Sequence, residues 1–335
     1  MQQGFKDIVC AKTGAVSITK LESIQSLWSG YGEIARYRLE GVSDGSLGGD
    51  NSDNVVVKHV VLPAEVAHPK GWQTPISHAR KIRSYAIESA WYRDYSNLCS
   101  EHCRVPACIA EASTGDEFLI VMEDLDASGF SVRRSTASLA EAKLCIYWLA
   151  HFHAKFMNVE PEGLWPVGTY WHLETRPDEL AALEDEALRN AAPVIDSLLT
   201  KSMYQTIVHG DAKLANFCFS GDGESVAAVD FQYVGAGCGM KDLAYFIGSC
   251  FGERECELHE QELLGFYFET LRAAFACYDY DIDPDMVERE WRPLYYVAWT
   301  DFHRFVKGWS PGHWKIHGYS ERISRDVISK VMRSR

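Results

Sequence analysis

Three oxygen-bearing side chains stand where a phosphoryl group could be moved. The string Ile207-Val-His-Gly-Asp-Ala-Lys-Leu-Ala-Asn216 begins as a short apolar strand and carries His209 and Asp211 into a loop, with Asn216 five residues past Asp211. A second apolar strand, Val226-Ala-Ala-Val-Asp-Phe-Gln232, ends in Asp230, fourteen residues past Asn216. Transfer from a nucleoside triphosphate needs one carboxylate to hold the acceptor hydroxyl and oxygen donors to fix a divalent cation against the phosphates. Magnesium takes hard oxygen ligands, commonly only one or two of them from protein, which suits Asn216 and Asp230.

The HGDxxxxN and DFQ pair resembles the catalytic loop and metal-binding motif of the aminoglycoside phosphotransferase and choline kinase superfamily. The resemblance implies that Asp211 is the catalytic base and that Asn216 and Asp230 are the metal ligands. It further implies that Lys213 lies near the γ-phosphate and that His209 braces the loop rather than reacting. ATP and Mg²⁺ are the implied cofactors, with ATP between two lobes.

The elements upstream supply complements to this set. Asn54 to Leu62 (NVVVKHVVL) is a β-branched strand with Lys58 in its interior, where an unpaired ammonium is costly to bury. Glu88, in the following helix, is its expected partner on the nucleotide side. Ser29-Gly-Tyr-Gly-Glu33 precedes the alternating strand Glu33 to Glu40, and Gly30 and Gly32 are candidates for a phosphate-covering loop. Glu123-Asp124-Leu125-Asp126 follows the strand FLIVM, and backbone groups of Glu123 and Leu125 are placed to meet adenine.

The pattern predicts strands over Val105–Ala110 and Glu117–Met122, and a helix capped by Ser77 that runs to about Leu98 with Ala86, Ala90 and Leu98 on its apolar side. Ser43 to Asn54 reads as a turn and Pro63 to Pro75 as a loop. Leu139 to Met157 is a helix; Thr206–Val208, Phe217–Phe219 and Val226–Val229 are short strands of a small sheet; Asp242 caps the next helix. The expected fold class is α+β: a protein-kinase-like two-lobed fold with a small β-rich N-lobe (1–123) and a larger, mainly helical C-lobe (124–335).

Further strings narrow the resemblance. Glu88-Ser-Ala-Trp-Tyr92, Met122-Glu-Asp-Leu, Leu149-Ala-His-Phe-His-Ala154, Asp242-Leu-Ala-Tyr-Phe246 and Trp299-Thr-Asp-Phe-His-Arg-Phe305 are similar, in order, to motifs of the ecdysteroid-kinase-like (CHK-kinase-like) family. That resemblance implies a small hydroxylated acceptor, including a bulky, ring-bearing alcohol. Gln232 stands where protein kinases have the glycine of DFG, and eleven residues between Asp230 and Asp242 are too few for a peptide platform. The aromatic-rich C-terminal helices make Asp301, His303, Arg304, Trp309 and Trp314 candidates for the acceptor site, while His151 and His153 read as core or supporting residues. The alternatives are a choline or aminoglycoside-type kinase, and a nucleotide-binding pseudokinase scaffold.

Composition bounds the partners. A net charge of -14 and pI near 5.3 argue against nucleic acid or an anionic membrane as partner. No apolar run has the length of a signal peptide or membrane helix, so a cytoplasmic location is expected. Cys99, Cys103 and Cys108 gather around His102 without the CxxC spacing of a zinc site. No protein partner can be inferred.

Overall fold

The computed structural model describes residues 3–27, 30–42, 53–62, 75–115, 117–278 and 280–333. Ser29, most of the turn that begins at Ser43 and the Pro63–Pro75 loop as far as residue 74 lie outside them. The chain divides into two compact units. One comprises 1–100, 104–133 and 218–232; the other comprises 101–103, 134–217 and 233–335. Among the described residues no helix is long and apolar enough to cross a membrane.

The first unit is built on a five-stranded antiparallel sheet. Its strands are β1 (Ser17–Ser26), β2 (Gly32–Glu40), β3 (Asn54–Val61), β4 (Cys108–Thr114) and β5 (Glu117–Glu123), in the order β1-β2-β3-β5-β4. Valines dominate β3 because branched side chains pack well on a pleated surface covered on both faces. Val55 and Val57 join Tyr37, Leu119 and Val121 on one face, under Phe5 and Val9 of helix α1 (Gln3–Thr13). Val60 and Phe118 meet Tyr85 of helix α2 (Pro75–Asp94) on the other face. Because side chains alternate along a strand, Lys58 shares the α2 face with Val60. A strand pair also belongs here, β7 (Phe217–Phe219) with β8 (Val226–Ala228), which delivers Asp230.

Several local expectations are corrected. Ser77 is the third residue of α2 and not its cap; its Oγ accepts from Arg80. The helix ends at Asp94 and a separate 3-10 turn follows over Ser96–Leu98. Ala86 and Leu98 are exposed, and the buried side is instead Ser84, Tyr85, Ile87, Glu88, Trp91 and Tyr92. The fourth strand begins at Cys108 and not at Val105. Strand β1 was not apparent in the sequence: its Leu21 and Ile24 are exposed, and two register irregularities against β2 break the alternation.

The second unit is mainly helical. Its helices are α3 (Leu139–Lys155), α4 (Pro177–Ala181), α5 (Glu186–Thr200), α6 (Met240–Cys250), α7 (Glu253–Tyr278), α8 (Pro284–Trp309) and α9 (Gly318–Arg333). A capping box starts α3: Ser138 Oγ accepts from the Glu141 N–H while the Glu141 carboxylate accepts from the Ser138 N–H. Helix α3 packs on α7, and α8 packs on α5, α6 and α9. Strand β6 (Thr206–Val208) pairs with β9 (Gly235–Gly237), so the single small sheet expected from the sequence is two separate strand pairs. The Gly-Ala-Gly composition of β9 hid it from pattern reading.

Candidate active site

In the first unit, Lys58 projects from the middle of β3 and meets Glu88 of α2, Nζ to Oε2 at 2.6 Å, both side chains being 3% exposed or less. Its Nζ also lies 3.6 Å from Asp230 Oδ1, on a carboxylate that is 36% exposed. Burial by itself would drive the ammonium towards neutrality, but Glu88 and then Asp230 outweigh it and hold the Lys58 pKa above the ordinary value. Burial raises the Glu88 carboxyl, and Lys58 offsets that only in part. The 2.6 Å contact is the geometry of an ion pair, so Lys58 is charged and faces two carboxylates.

The helix spacing explains Glu88-Ser-Ala-Trp-Tyr92. Positions i, i+3 and i+4 share one face, so Glu88 meets Lys58 while Trp91 and Tyr92 receive the ring of Phe231. Trp91 stacks on that ring at 4.5 Å and Tyr92 meets it edge-on at 6.0 Å. Asp230 has φ +70°, a left-handed backbone that costs a non-glycine residue of order 1–3 kcal/mol and occurs mainly at functional positions. Gln232 stabilises the turn: its Nε2 donates to Asp230 Oδ1 at 2.9 Å, and its Oε1 accepts from Lys81 at 2.7 Å and Ser84 at 3.3 Å. The glutamine that departs from DFG thus ties the Asp230 loop to α2.

Gly30 and Gly32 lie at the start of β2, and the Leu27 N–H donates to the Gly32 carbonyl at 2.8 Å. Gly32 has φ +135°, and a Cβ there would stand 2.0 Å from the His59 carbonyl oxygen, so only glycine fits. At the end of β5 the Glu123 N–H donates to Ala107 and the Leu125 carbonyl accepts from Phe130. The Glu123 side chain turns to Arg104 and the Ala107 N–H.

In the second unit, the loop after β6 holds His209, Asp211, Lys213 and Asn216 together. Asp211 Oδ2 accepts from Lys213 Nζ at 2.8 Å and from Asn216 Nδ2 at 3.2 Å, and Oδ1 accepts from Tyr245 at 3.1 Å. His209 is fully buried, and its Nδ1 accepts the Asp211 N–H at 3.2 Å. Gly210 has φ +80°, and a Cβ there would meet the Tyr233 carbonyl oxygen at 2.0 Å, which explains the glycine between histidine and aspartate.

Asp242 does something its position in the sequence did not suggest. It lies inside α6, whose cap residue is Gly239, and so it does not cap that helix. Its fully buried carboxylate accepts from the His209 N–H at 2.6 Å, the Gly210 N–H at 2.9 Å and His153 Nε2 at 3.1 Å. A charged acceptor thus fixes the backbone that presents Asp211. The signal available was His153 and Asp242 falling in two family-like strings.

Asn216 directs its amide N–H groups to the Asp211 carbonyl and carboxylate, which leaves its carbonyl oxygen as the donor for a cation. That amide oxygen in the second unit, and the carboxylate of Asp230 in the first, are each hard oxygen donors of the kind magnesium accepts. Among the described residues no three or more His, Cys, Asp or Glu side chains are grouped to hold a metal ion.

Three of the acceptor candidates are core residues of the second unit. Asp301 and Arg304 form an ion pair at 2.9 Å and both bind Trp171, through its Nε1 and its carbonyl. His303 is buried 3.4 Å from Glu321, and burial pushes its imidazole down to about 4. Trp309 and Trp314 are exposed. His151 is buried, stacked on His102 at 4.7 Å, and His102 Nδ1 bonds the Tyr147 hydroxyl at 2.8 Å.

No curated protein matches this sequence. Among solved structures, a microcompartment-associated aminopropanol kinase is similar at 14% identity and TM-score 0.46, over 94% of this chain and 89% of its own. A choline kinase from Streptococcus pneumoniae is similar at 13% identity and TM-score 0.44, over 99% and 100%. A type VIII aminoglycoside-3'-phosphotransferase is similar at 14% identity and TM-score 0.44, over 91% and 100%. Residues 167–280, which hold both the HGDxxxxN and DFQ strings, match the Ecdysteroid kinase-like family, the one the order of motifs resembles.

Proposed function

We propose that this chain is an ATP- and Mg²⁺-dependent phosphotransferase that phosphorylates a hydroxyl group of a small molecule. The observation that carries the reading is the buried Lys58 held between Glu88 and the partly exposed Asp230. A fold has little reason to bury an ammonium against two carboxylates for stability alone, since replacing such a group with apolar side chains is commonly neutral or stabilising. A lysine so fixed is suited to receive phosphate oxygens. The family match supports the same class of reaction.

The residues divide the work. Lys58, positioned by Glu88, binds the α/β-phosphates, and the Gly30–Gly32 turn covers them. The Glu123 carbonyl and Leu125 N–H are the backbone groups assigned to adenine; the Glu123 N–H and the Leu125 carbonyl are engaged within the unit. Asp230 and Asn216 would hold magnesium, which when bound neutralises charge on the phosphates. Asp211 accepts the proton of the acceptor hydroxyl as that oxygen bonds the γ-phosphorus and the β–γ bridging bond breaks, giving phosphoryl acceptor and ADP. Lys213 and Tyr245 hold the Asp211 carboxylate in place, and His209 and Asp242 hold its backbone. The transition state is loose, so position matters more than basicity.

The test is nucleotide binding and acceptor turnover on the full chain. Calorimetry with ATP should show magnesium-dependent binding, and transfer of labelled phosphate should be seen to an alcohol in a panel of choline, aminoglycosides and sterols or other ring-bearing alcohols. Binding without transfer or slow ATP hydrolysis would favour a scaffold; no magnesium-dependent binding would sink the reading. A cytoplasmic site of action is part of the proposal and is checked by fractionation.

A further inference from the structure

Lys315 follows the exposed Trp314 and precedes α9. Its ammonium lies over the ring of Tyr245 at 4.6 Å, over Phe302 at 5.1 Å and over Trp314 at 5.6 Å. The hydroxyl of that same Tyr245 donates to Asp211. Lys58, Lys213 and Lys307 each touch a carboxylate. Lys315 forms no ion pair and no side-chain hydrogen bond among the described residues, in a chain of net charge -14. Aromatic faces attract a cation, but three of them do not replace the oxygen acceptors that an ammonium has in water.

We propose that Lys315 is a specificity-determining residue of the acceptor site and that the acceptor carries an anionic group, such as a carboxylate, at the end remote from its reacting hydroxyl. The inference rests on the phosphotransferase reading and deepens it. The rings of Tyr245, Phe302 and Trp314 are the box that a quaternary ammonium would need, and the protein's own ammonium already fills it. A choline-like or polyamine-like acceptor would therefore bring a second positive charge against Lys315. An anion would complete the lysine with charge-assisted hydrogen bonds, while Tyr245 ties the same side of the site to the carboxylate that orients the hydroxyl. Burial, which would favour an uncharged lysine, and the nearby Asp211, which favours a charged one, both act on this group.

Three alcohols of matched shape test this by calorimetry on the full chain: para-(hydroxymethyl)benzoate, benzyl alcohol and para-(hydroxymethyl)phenyltrimethylammonium, each titrated with and without Mg·ADP. The benzoate is expected to bind about 10- to 100-fold more tightly than the ammonium alcohol, the range of one charge-assisted hydrogen bond. Lys315→Met should erase that preference and leave benzyl alcohol unchanged, whereas Lys315→Arg should keep most of it. Equal or tighter binding of the ammonium alcohol, no binding of the benzoate at millimolar concentration, or an undiminished preference in Lys315→Met overturns the proposal. Failure of Mg·ADP itself to bind would instead count against the phosphotransferase reading, and the nucleotide-free titrations still decide the role of Lys315.

Discussion

Replacing Lys58 and Glu88 singly and together separates what this pair does for the fold from what it does for nucleotide. Lys58→Met leaves the Glu88 carboxylate 2% exposed with its 2.6 Å partner gone, and Glu88→Leu strands the ammonium in the same way. Removing one partner of such a pair costs about 3–5 kcal/mol. With a urea slope of about 3 kcal/mol/M, each single variant should lower the unfolding midpoint by roughly 1–1.7 M. Lys58→Met/Glu88→Leu removes both charges and fills the space with apolar atoms, so it should recover most of that loss. Asp230, being partly exposed, can keep its charge in water. Nucleotide affinity, measured by calorimetry with Mg·ATP, should fall in all three variants and stay low in the double. A double variant that binds nucleotide like the parent would refute the reasoning, since the pair would then be a structural feature with no role in phosphate recognition. A double variant no more stable than either single would refute the account of the pair as an electrostatically matched buried unit.

Other expectations concern the loop and its support. Asp211→Asn should slow phosphoryl transfer by about 10²–10⁴ with nucleotide affinity nearly unchanged, and transfer at the parental rate would remove Asp211 as base. Asp242→Asn puts an amide N–H against backbone donors that now face a carboxylate; loss of about 2–4 kcal/mol in unfolding free energy is expected, with a slower transfer rate in the folded fraction. Parental stability in that variant would show that the loop does not depend on Asp242. His151, buried and stacked against His102, is pushed down to about 4, first by burial and then by His102. Its folded form stays neutral while the unfolded chain takes up a proton near 6.5, so stability present above pH 6.5 is lost as pH falls towards 4. The loss is of order 3 kcal/mol at about 1.4 kcal/mol per unit. His151→Phe should flatten that part of the stability–pH curve, and an unchanged curve would assign the acid sensitivity elsewhere.

Elements whose side-chain pattern is strong and local could be read from the order of residues. Strand β3 was legible because five valines flank one lysine, α3 because its apolar run is long, and β6 and β8 because short apolar strings end in polar loops. The catalytic candidates were legible for the same reason, since residue types and spacing along a loop are properties of the chain. Tertiary structure decided which groups those residues meet. That Asp242 bonds the His209 and Gly210 backbone and not its own helix follows from packing of α6 against a loop more than thirty residues earlier in the chain. That Gln232 joins Asp230 to α2 depends on a contact across about 150 residues, which no local pattern records. Asp301 and Arg304 looked like acceptor ligands, yet their charges satisfy each other and Trp171 because both lie on the buried side of α8. No local pattern marks Lys315. Only the folded arrangement of Tyr245, Phe302 and Trp314 around it, with no carboxylate in contact among the described residues, makes its charge distinctive. Chemistry that depends on residue identity is written in the sequence, whereas desolvation and pairing are set by neighbours that the fold brings from far along the chain.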